Sequence, residues 1–336
     1  MASTPVTLNE VAAEVGVSVS TASRALSGGK VRESTRQAVA EAAKRLGYVS
    51  PTPSQLKDGK EATGLIGLLS TDVGNYYFIE TFAQIIQTAQ TAGYQVLCGD
   101  INDTCEHARV LETLKARTDG QILLSPRLGP ETIHANFDPR RTVITSNACE
   151  GFSSVLLDDE SGMMQAVCHL ASLGHRRIAY VSGSLESFSN TTRLNAFKRY
   201  CERYHTEGQV LGPYEASHEG GVNAADRLLL DDGLTAVIAY NDIVATGLTS
   251  RLLERGLTIP GDISIVGFDN SLLSKVSRPA LTTVEERDDM WEVATHMLLT
   301  QLQALREEPE SEFAPKTLRM AETLIVRDST GPAPQR

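Results

Sequence analysis

The first fifty residues show the 3.6-residue periodicity of short amphipathic helices. A capping-box sequence at residues 7–10 marks the start of a first helix. Apolar side chains recur along it at positions i, i+3, i+4 and i+7, which are Leu8, Val11, Ala12 and Val15. Gly16 permits a tight reversal of the chain, and Ser18 is placed to cap a second helix. A third helix is predicted to begin at the capping-box residue Ser34 and to stop at Gly47. We therefore expect three short helices that contain a helix-turn-helix.

The second predicted helix, residues 18–26, consists mainly of small hydroxyl residues and one long cation. Small polar side chains let a helix approach base edges and phosphates, and Arg24 can contact a phosphate or a guanine. The residues expected to contact DNA here are Thr7, Ser18, Val19, Ser20, Thr21, Ser23 and Arg24. The spacing by itself leaves open a small helical domain that binds a protein or nothing.

The pattern changes after Tyr48. Residues 50–62 contain Pro51, Pro53 and Gly59 without any core-forming periodicity, which indicates a linker. From Gly64 onward, apolar segments alternate with amphipathic ones, and this βα alternation predicts two units of parallel sheet covered by helices on both faces. Strands are expected near 65–70, 94–98, 121–125, 142–146, 178–182, 236–240 and 264–268. Helices are expected near 106–115, 160–173, 193–204, 220–230 and 242–255, and around Ile79, Phe82, Ala83 and Ile86.

The charge is unevenly distributed along the 336 residues. The formal net charge of −11 is unusual for a protein that binds DNA, but residues 1–60 contain eight Lys/Arg and five Asp/Glu. This segment therefore carries +3, and the remaining 276 residues carry −14. A basic module on an acidic body concentrates the attraction for phosphate at one end.

Several classes of protein and site are disfavoured. The N-terminus has no cationic segment followed by an apolar run, and no apolar run approaches the ~18 residues of a membrane span, so a cytoplasmic protein is expected. The five cysteines show no CxxC spacing, and the one Cys/His cluster, at Cys105 and His107, has no second pair. We expect neither a metal nor a cofactor. Phosphate-loop, dinucleotide-binding and nucleophile-elbow motifs are lacking, which argues against an enzyme.

The run Val6–Leu26, together with Thr35-Arg36 and Leu46-Gly47-Tyr48, resembles the DNA-binding headpiece of the LacI/GalR family of bacterial repressors. Phrases along the rest of the chain resemble landmarks of the same family, at residues 119–124, 174–179, 240–242, 259–270 and 279–283. The resemblance implies a body like that of the periplasmic binding proteins, with two Rossmann-like subdomains and a ligand in the cleft between them. It also implies that cleft closure reports occupancy.

This resemblance supplies the expected domains. Residues 1–49 would bind DNA, 50–62 would form a linker or hinge, and 63–336 would bind an effector and dimerise. The first subdomain is expected to comprise residues 63–159 and 285–308, and the second residues 160–284 and 309–328. The tail after Ile325 contains no heptads, so a tetramerising coiled coil is not expected and a homodimer is.

The residues expected to bind the effector are Tyr77, Phe78, Ser187, Ser189, Arg193, Asn241 and Asp269. Asp269 follows a strand and matches a family aspartate that takes hydroxyl or amine groups, and Arg193 matches an arginine that contacts the effector. Each has a structural alternative, such as a helix cap or core packing. Asp242 is assigned as a cap. Ser187 and Ser189 replace a basic residue and a threonine of purine-responsive relatives, which favours a neutral polyol or sugar.

One departure from the family concerns the hinge. Relatives have a Pro-Asn-x-x-Ala-Arg-x-Leu stretch that folds on DNA and inserts a leucine into the minor groove. The equivalent segment here, residues 51–56, is shorter, lacks the Ala-Arg pair and contains Pro53. Its Leu56 could still be the leucine that inserts into the minor groove. The overall expectation is a repressor that binds a pseudo-palindromic operator. The alternatives are a cytoplasmic sugar-binding module and an α/β sugar or nucleotide enzyme with an accessory helical domain.

Overall fold

The computed structural model describes residues 8–26, 31–46, 62–71, 73, 76–101, 107–231, 233–285 and 289–335, with all their side chains except those of Leu8, Asn9, Ser20, Ser23 and Tyr76. Thr7, Leu56 and nearly all of the expected linker lie outside these residues, so the predictions made for them stay predictions.

The N-terminal helices form a small domain of their own. They are α1 (Leu8–Val15), α2 (Val19–Leu26) and α3 (Glu33–Leu46). Gly16 joins α1 to α2 at φ +71°, a left-handed conformation that glycine adopts without strain. Small apolar side chains from all three helices form the core, which explains how such short helices pack closely: Val11, Ala12, Ala22, Ala25, Val39, Ala42 and Ala43.

The caps of α2 and α3 differ from each other. The Ser18 hydroxyl accepts a hydrogen bond from the Thr21 backbone N–H at 3.1 Å, as expected for the cap of α2. At α3, the Arg32 carbonyl accepts from the backbone N–H groups of Thr35 and Arg36, so the helix begins before Ser34. The expectation that Ser34 caps α3 was therefore wrong, because Ser34 lies inside its first turn.

The body contains two six-stranded sheets. The first has the order β11-β5-β4-β3-β1-β2, and all its pairs are parallel. Its strands are β1 (Leu65–Ser70), β2 (Gln95–Asp100), β3 (Gly120–Leu124), β4 (Thr142–Thr145), β5 (Ser153–Leu157) and β11 (Thr317–Met320). Its helices are α4 (Tyr76–Thr91), α5 (His107–Arg117), α6 (Pro130–Asn136) and α12 (Met290–Glu307), with a 3-10 turn at Pro139–Arg141.

The second sheet has the order β12-β10-β9-β8-β6-β7, with β12 antiparallel to β10. Its strands are β6 (Arg177–Val181), β7 (Glu207–Leu211), β8 (Ala236–Ala239), β9 (Ser264–Phe268), β10 (Thr282–Glu285) and β12 (Thr323–Ile325). Its helices are α7 (Asp159–Ser172), α8 (Phe188–Arg203), α9 (His218–Leu228), α10 (Asp242–Glu254) and α11 (Leu272–Val276). The predicted α/β class with two Rossmann-like units is confirmed.

The chain passes between the two subdomains three times. The first crossover is at Asp158, the second lies between β10 and α12, and the third is at Ala321-Glu322. We expected residues 309–328 in the second subdomain, but β11 pairs in parallel with β5 of the first sheet. The third crossover therefore comes later than expected, because an exposed four-residue strand without clear alternation gives no signal in the sequence.

Two helices differ from their predicted form. On α4, Phe78, Ile85 and Ala89 are buried whereas Ile79 is 51% exposed, so the buried face is rotated from the one expected. Helix α8 begins at Phe188 and not at Arg193, because Ser187 caps it by accepting from the Asn190 N–H. Arg193 consequently lies in the second turn of α8, and its side chain is buried.

Candidate functional site

A cleft opens between the two subdomains where their parallel strands end. Ser125 follows β3 and Ser146 follows β4 on one wall, while Asn241 and Asp269 lie beyond the ends of β8 and β9 on the other. Parallel strands bring their carboxyl ends to one edge of a sheet, which is where such folds bind ligands. All seven residues expected to bind an effector line this cleft: Tyr77, Phe78, Ser187, Ser189, Arg193, Asn241 and Asp269.

Arg193 is the buried cation of the cleft. Its side chain is only 5% exposed, and its Nε donates to Oδ1 of Asp159 at 2.6 Å. Its Nη1 donates to the backbone carbonyl of Tyr240 at 2.8 Å, and its Nη2 lies 3.9 Å from a carboxylate oxygen of Glu322. Burial by itself would lower the pKa of Arg193, but the carboxylates of Asp159 and Glu322 hold it well above its usual value. Arg193 is therefore charged at every accessible pH.

Aromatic rings fix the plane of this guanidinium. The central carbon of Arg193 lies 4.1 Å from the centroid of the Phe268 ring and 5.6 Å from that of Tyr240. A guanidinium held over aromatic faces and tied by hydrogen bonds loses little further freedom on binding a ligand. Arg193 is thus preorganised as a donor at the floor of the cleft.

Asp269 is held by its backbone in an unusual conformation. Its φ is +103° and that of Asn270 is +47°, and the Asp269 N–H donates to the Val284 carbonyl at 2.9 Å. Left-handed conformations are costly for most side chains, although Asp and Asn adopt them more readily. This turn directs the chain away from β9 and leaves the half-buried Asp269 side chain on the cleft wall.

The structure gives the cap of α10 to Asn241 and not to Asp242. Asn241 caps α10, because its Oδ1 accepts from the Val244 N–H at 3.1 Å. Asp242 is buried behind the cleft, where it accepts hydrogen bonds from Ser271 and from the Thr283 hydroxyl. The assignment of Asp242 as the cap was therefore wrong, since the asparagine before it already occupies that position. Burial raises the pKa of Asp242 to about 6.

The first subdomain contributes an aromatic wall. Tyr77 packs edge-on against Trp291 with ring centroids 6.0 Å apart, and Phe78 stacks on Phe82 at 6.1 Å. Phe78 is 5% exposed and belongs to the core. Tyr77 is half-buried, so more of its surface is accessible from the cleft. Both residues thus line the cleft and also pack in or against the hydrophobic core.

Ser187 and Ser189 lie at the start of α8. The Ser187 hydroxyl contacts the Tyr240 hydroxyl at 3.0 Å in addition to capping the helix. Ser189 donates a side-chain hydrogen bond to Asp159, the partner of Arg193. Both side chains are therefore hydrogen-bonded to other side chains of the protein.

Other residues also line the cleft and were not predicted from the sequence. Tyr240, which follows β8, packs its ring against Gly183, where a β-carbon would come within 2.8 Å of the ring. Arg127, Ser146 and Asn147 come from the first subdomain, in the turns after β3 and β4. Their place after predicted strands was the available signal, but the sequence did not show which of these turns faces the cleft.

Apart from Thr7 and Leu56, which lie outside the described residues, the residues expected to contact DNA lie at or within α2. Ser18, Val19 and Arg24 are exposed, and 44% of Val19 is accessible. Side chains that contact a DNA groove must be exposed in this way. Thr21 is half-buried, and its hydroxyl is hydrogen-bonded to that of Ser18 at 2.7 Å. Ser20 and Ser23 belong to α2 by their backbone, and their side chains are not among the described ones.

Two family models match this chain. Residues 7–51 match the model of bacterial regulatory proteins of the lacI family, and residues 167–330 match a periplasmic binding protein-like domain. The chain is 31% identical to the HTH-type transcriptional repressor PurR of Glaesserella parasuis, over 96% of this chain and 98% of the relative. The chain belongs to the LacI family.

Solved structures of LacI-family regulators share its architecture. A complex of the transcriptional regulator CelR with cellobiose aligns over 96% of this chain and 99% of that one, with a TM-score of 0.68 and 25% identity. A regulator from Enterococcus faecium with bound ribose aligns over 80% of this chain and 99% of that one, with a TM-score of 0.69 and 28% identity. This LacI-family protein is thus a DNA-binding transcriptional regulator with an effector-binding domain like that of the periplasmic binding proteins.

Two further observations bear on its class. The described helices include none that is long and apolar enough to cross a membrane. Within the described residues, no three His, Cys, Asp or Glu side chains are grouped so that they could hold a metal ion. The relatives named above are transcriptional regulators and not enzymes.

Proposed function

We propose that this LacI-family regulator is a homodimeric repressor whose affinity for a pseudo-palindromic operator is controlled by a small sugar or polyol bound in the cleft. The observation that carries the proposal is the set of seven predicted residues around one cleft between two subdomains. A ligand that contacts both walls stabilises the closed arrangement, and closure is a change that the headpieces can sense.

The chemistry of the walls suits a polyol. Asp269 offers carboxylate oxygens for hydroxyl groups, Arg193 offers guanidinium donors, and Tyr77 offers an aromatic surface for the apolar face of a sugar ring. The relatives with cellobiose and ribose bind sugars in the same fold. The short side chains of Ser187 and Ser189, engaged with Tyr240 and Asp159, offer no long cation for a purine.

The proposed coupling runs through Arg193. Its partner Asp159 directly follows the first crossover, and Glu322 lies in the third. A ligand hydrogen-bonded to Arg193 acts on the position of both segments, since all three side chains are nearly inaccessible to solvent. Ligand binding and subdomain closure are then linked, and the linkage works equally in both directions.

A dimer follows from the mode of DNA recognition. A helix-turn-helix of this type reads one half-site in the major groove, and two half-sites one helical turn apart require a two-fold axis in the protein. A single exposed α2 helix gives too few base contacts for a unique site in a genome. Two copies of this chain supply the second helix.

The proposal is tested with the full-length protein in two steps. Selection from random duplex DNA identifies the operator, and analytical ultracentrifugation measures the stoichiometry, which we expect to be two chains per duplex. A thermal-shift screen of sugars, polyols and nucleosides then identifies ligands, and each hit is added to an operator titration. A nucleoside hit without any sugar hit, or sugar hits that leave operator affinity unchanged, would contradict the proposed control by a sugar.

A further inference from the structure

We infer that the effector of this regulator is an anionic sugar derivative, a sugar acid or a sugar phosphate, whose negative group is bound by Arg127. This inference rests on the proposed function and refines it, since it names the charge of the ligand. It departs from the neutral ligand that the sequence favours, because Arg127 gave no sign in the sequence that it faces the cleft.

Arg127 lies on the cleft wall, and no described residue forms a hydrogen bond or an ion pair with it. It follows β3 in the first subdomain, lines the cleft and is half-buried. A guanidinium has five donors and cannot lose its charge, so burying it further on closure is costly unless an acceptor comes with it.

The other arginine among the described cleft residues, Arg193, is paired with carboxylates. Arg193 is neutralised from behind by Asp159 at 2.6 Å and by Glu322 at 3.9 Å. It can donate to a neutral hydroxyl without needing a further negative charge. Of these two arginines, Arg127, on the opposite subdomain, is therefore the one to which no described carboxylate is paired.

The start of α8, on the opposite wall of the cleft, is also favourable to anions. The charge of Arg127 acts on the Tyr240 phenol, where it opposes the rise in pKa that burial causes. The Tyr240 hydroxyl contacts Ser187, the cap of the sixteen-residue helix α8, and Arg127 lines the same cleft as Ser187 and the first two residues of that helix. The N-terminal turn of such a helix carries a partial positive charge and free backbone N–H groups.

A two-part ligand fits this distribution of charge. Asp269 would repel a negative group and attract hydroxyls, so the polyol portion lies toward Asp269, and the anionic group lies toward Arg127 and the start of α8. Carboxylates and phosphates are both bound well by the fork of a guanidinium. On closure, the anion would join the first subdomain through Arg127 to the second through α8.

The test compares matched neutral and anionic ligands on the full-length protein by isothermal titration calorimetry. The probes are D-glucose, D-gluconate and D-glucose 6-phosphate, the corresponding ribose series, and cellobiose with cellobionate. Inorganic phosphate is added at constant ionic strength, and the melting temperature of the protein is measured. This arm probes the anion site without the sugar. We expect a preferred anionic ligand to bind at least about tenfold more tightly than its neutral counterpart, because hydrogen bonds between charged partners are worth more than neutral ones. The aldonates and the phosphates distinguish the two sources of negative charge.

Three variants make the test specific. Arg127→Gln should weaken the binding of the anionic ligand much more than that of its neutral counterpart and so remove the preference, whereas Arg127→Lys should keep part of the preference because it keeps the charge. Arg203→Gln is the matched control, since Arg203 is exposed at the other end of α8. It should leave all affinities unchanged.

Each outcome decides the inference. A neutral sugar that binds as tightly as its acid or phosphate overturns it and leaves the proposed function intact, as does an anion preference that survives Arg127→Gln. If no sugar binds, the phosphate arm decides: stabilisation of the wild type but not of Arg127→Gln supports an anion site, and equal stabilisation overturns it. Anionic ligands that bind through Arg127 but leave operator affinity unchanged contradict the proposed function instead.

Discussion

The Arg193 guanidinium donates to the Asp159 carboxylate over 2.6 Å, and this bond joins α8 to the first residue of α7. Asp159 follows the crossover at Asp158, so a residue that lines the cleft is tied to a segment that connects the two subdomains. Glu322 places a second crossover 3.9 Å from the same guanidinium. One buried side chain therefore links the cleft to two of the three connections between subdomains.

Substitution of Asp159 should be much more costly than substitution of its neighbour Asp158. Asp159→Ala leaves the buried Arg193 without its main partner, which is expected to cost about 3 to 5 kcal/mol. Asp158→Ala removes only a capping bond to the Ser161 N–H, which is worth about 1 kcal/mol. Urea denaturation of both variants measures the two costs. Equal losses would show that the ion pair contributes no more than a helix cap.

Substitution of Asp269 should remove ligand binding while preserving the fold. Asp269→Asn is the informative variant, because asparagine tolerates the φ of +103° better than alanine does. The sugar that gives the largest thermal shift with the wild type should give no shift with Asp269→Asn, since a ligand hydroxyl loses its charged acceptor. Operator affinity without ligand should be unchanged. A full ligand-induced shift in the variant would make Asp269 a purely structural residue.

Asp242 should give the protein a recognisable pH dependence. Burial raises its pKa from 3.8 to about 6, so the folded state binds more protons than the unfolded state between these values. The free energy of unfolding therefore falls as pH rises through this window, by about 3 kcal/mol from this group, and the contribution is fully present only below about pH 4. Asp242→Asn lacks the titration, so its stability should improve relative to the wild type as pH rises from 4 to 7. Parallel stability curves for the two proteins would contradict the raised pKa.

Arg24 is expected to contribute to operator affinity. Arg24→Ala should weaken binding by about 1 to 3 kcal/mol, because it removes the long cation of α2. Arg24→Lys serves as the control: it retains a phosphate contact but loses a bidentate contact with guanine, so it should relax base preference more than affinity. Gel-shift titrations at fixed salt measure both effects. An unchanged affinity in Arg24→Ala would remove Arg24 from the interface.

Leu56 provides a test of the hinge. If it inserts into the minor groove as the family pattern suggests, Leu56→Ala should lower operator affinity moderately and weaken the response to the effector at the same time. Salt-matched titrations with and without ligand measure the two quantities. A variant with wild-type affinity and a wild-type response would indicate a plain linker, with allostery acting through dimer geometry alone.

Local patterns predicted much of the architecture. The spacing of apolar residues with Gly16 and Ser18 predicted the helix-turn-helix, because capping and left-handed turns depend on neighbours in the chain. Buried strands such as β3 and β8 were recognisable from continuous apolar runs. Strands β7, β11 and β12 are short and largely exposed, so their pairing depends on partners that the sequence does not show.

The sequence by itself placed Asn241 and Asp269 at the edge of a sheet, because a residue that follows a parallel strand lies at the binding edge, and the family resemblance supplied the other five expected residues. Only the tertiary structure decided their roles. Asn241 and Asp242 are adjacent and both can cap a helix, but the hydroxyls of Ser271 and Thr283 come from distant segments and engage the aspartate. Likewise Arg127 and Arg193 are indistinguishable as residue types. Carboxylates brought from two crossovers neutralise Arg193, whereas folding brings no described carboxylate to Arg127, because charge compensation depends on distances that long-range packing sets.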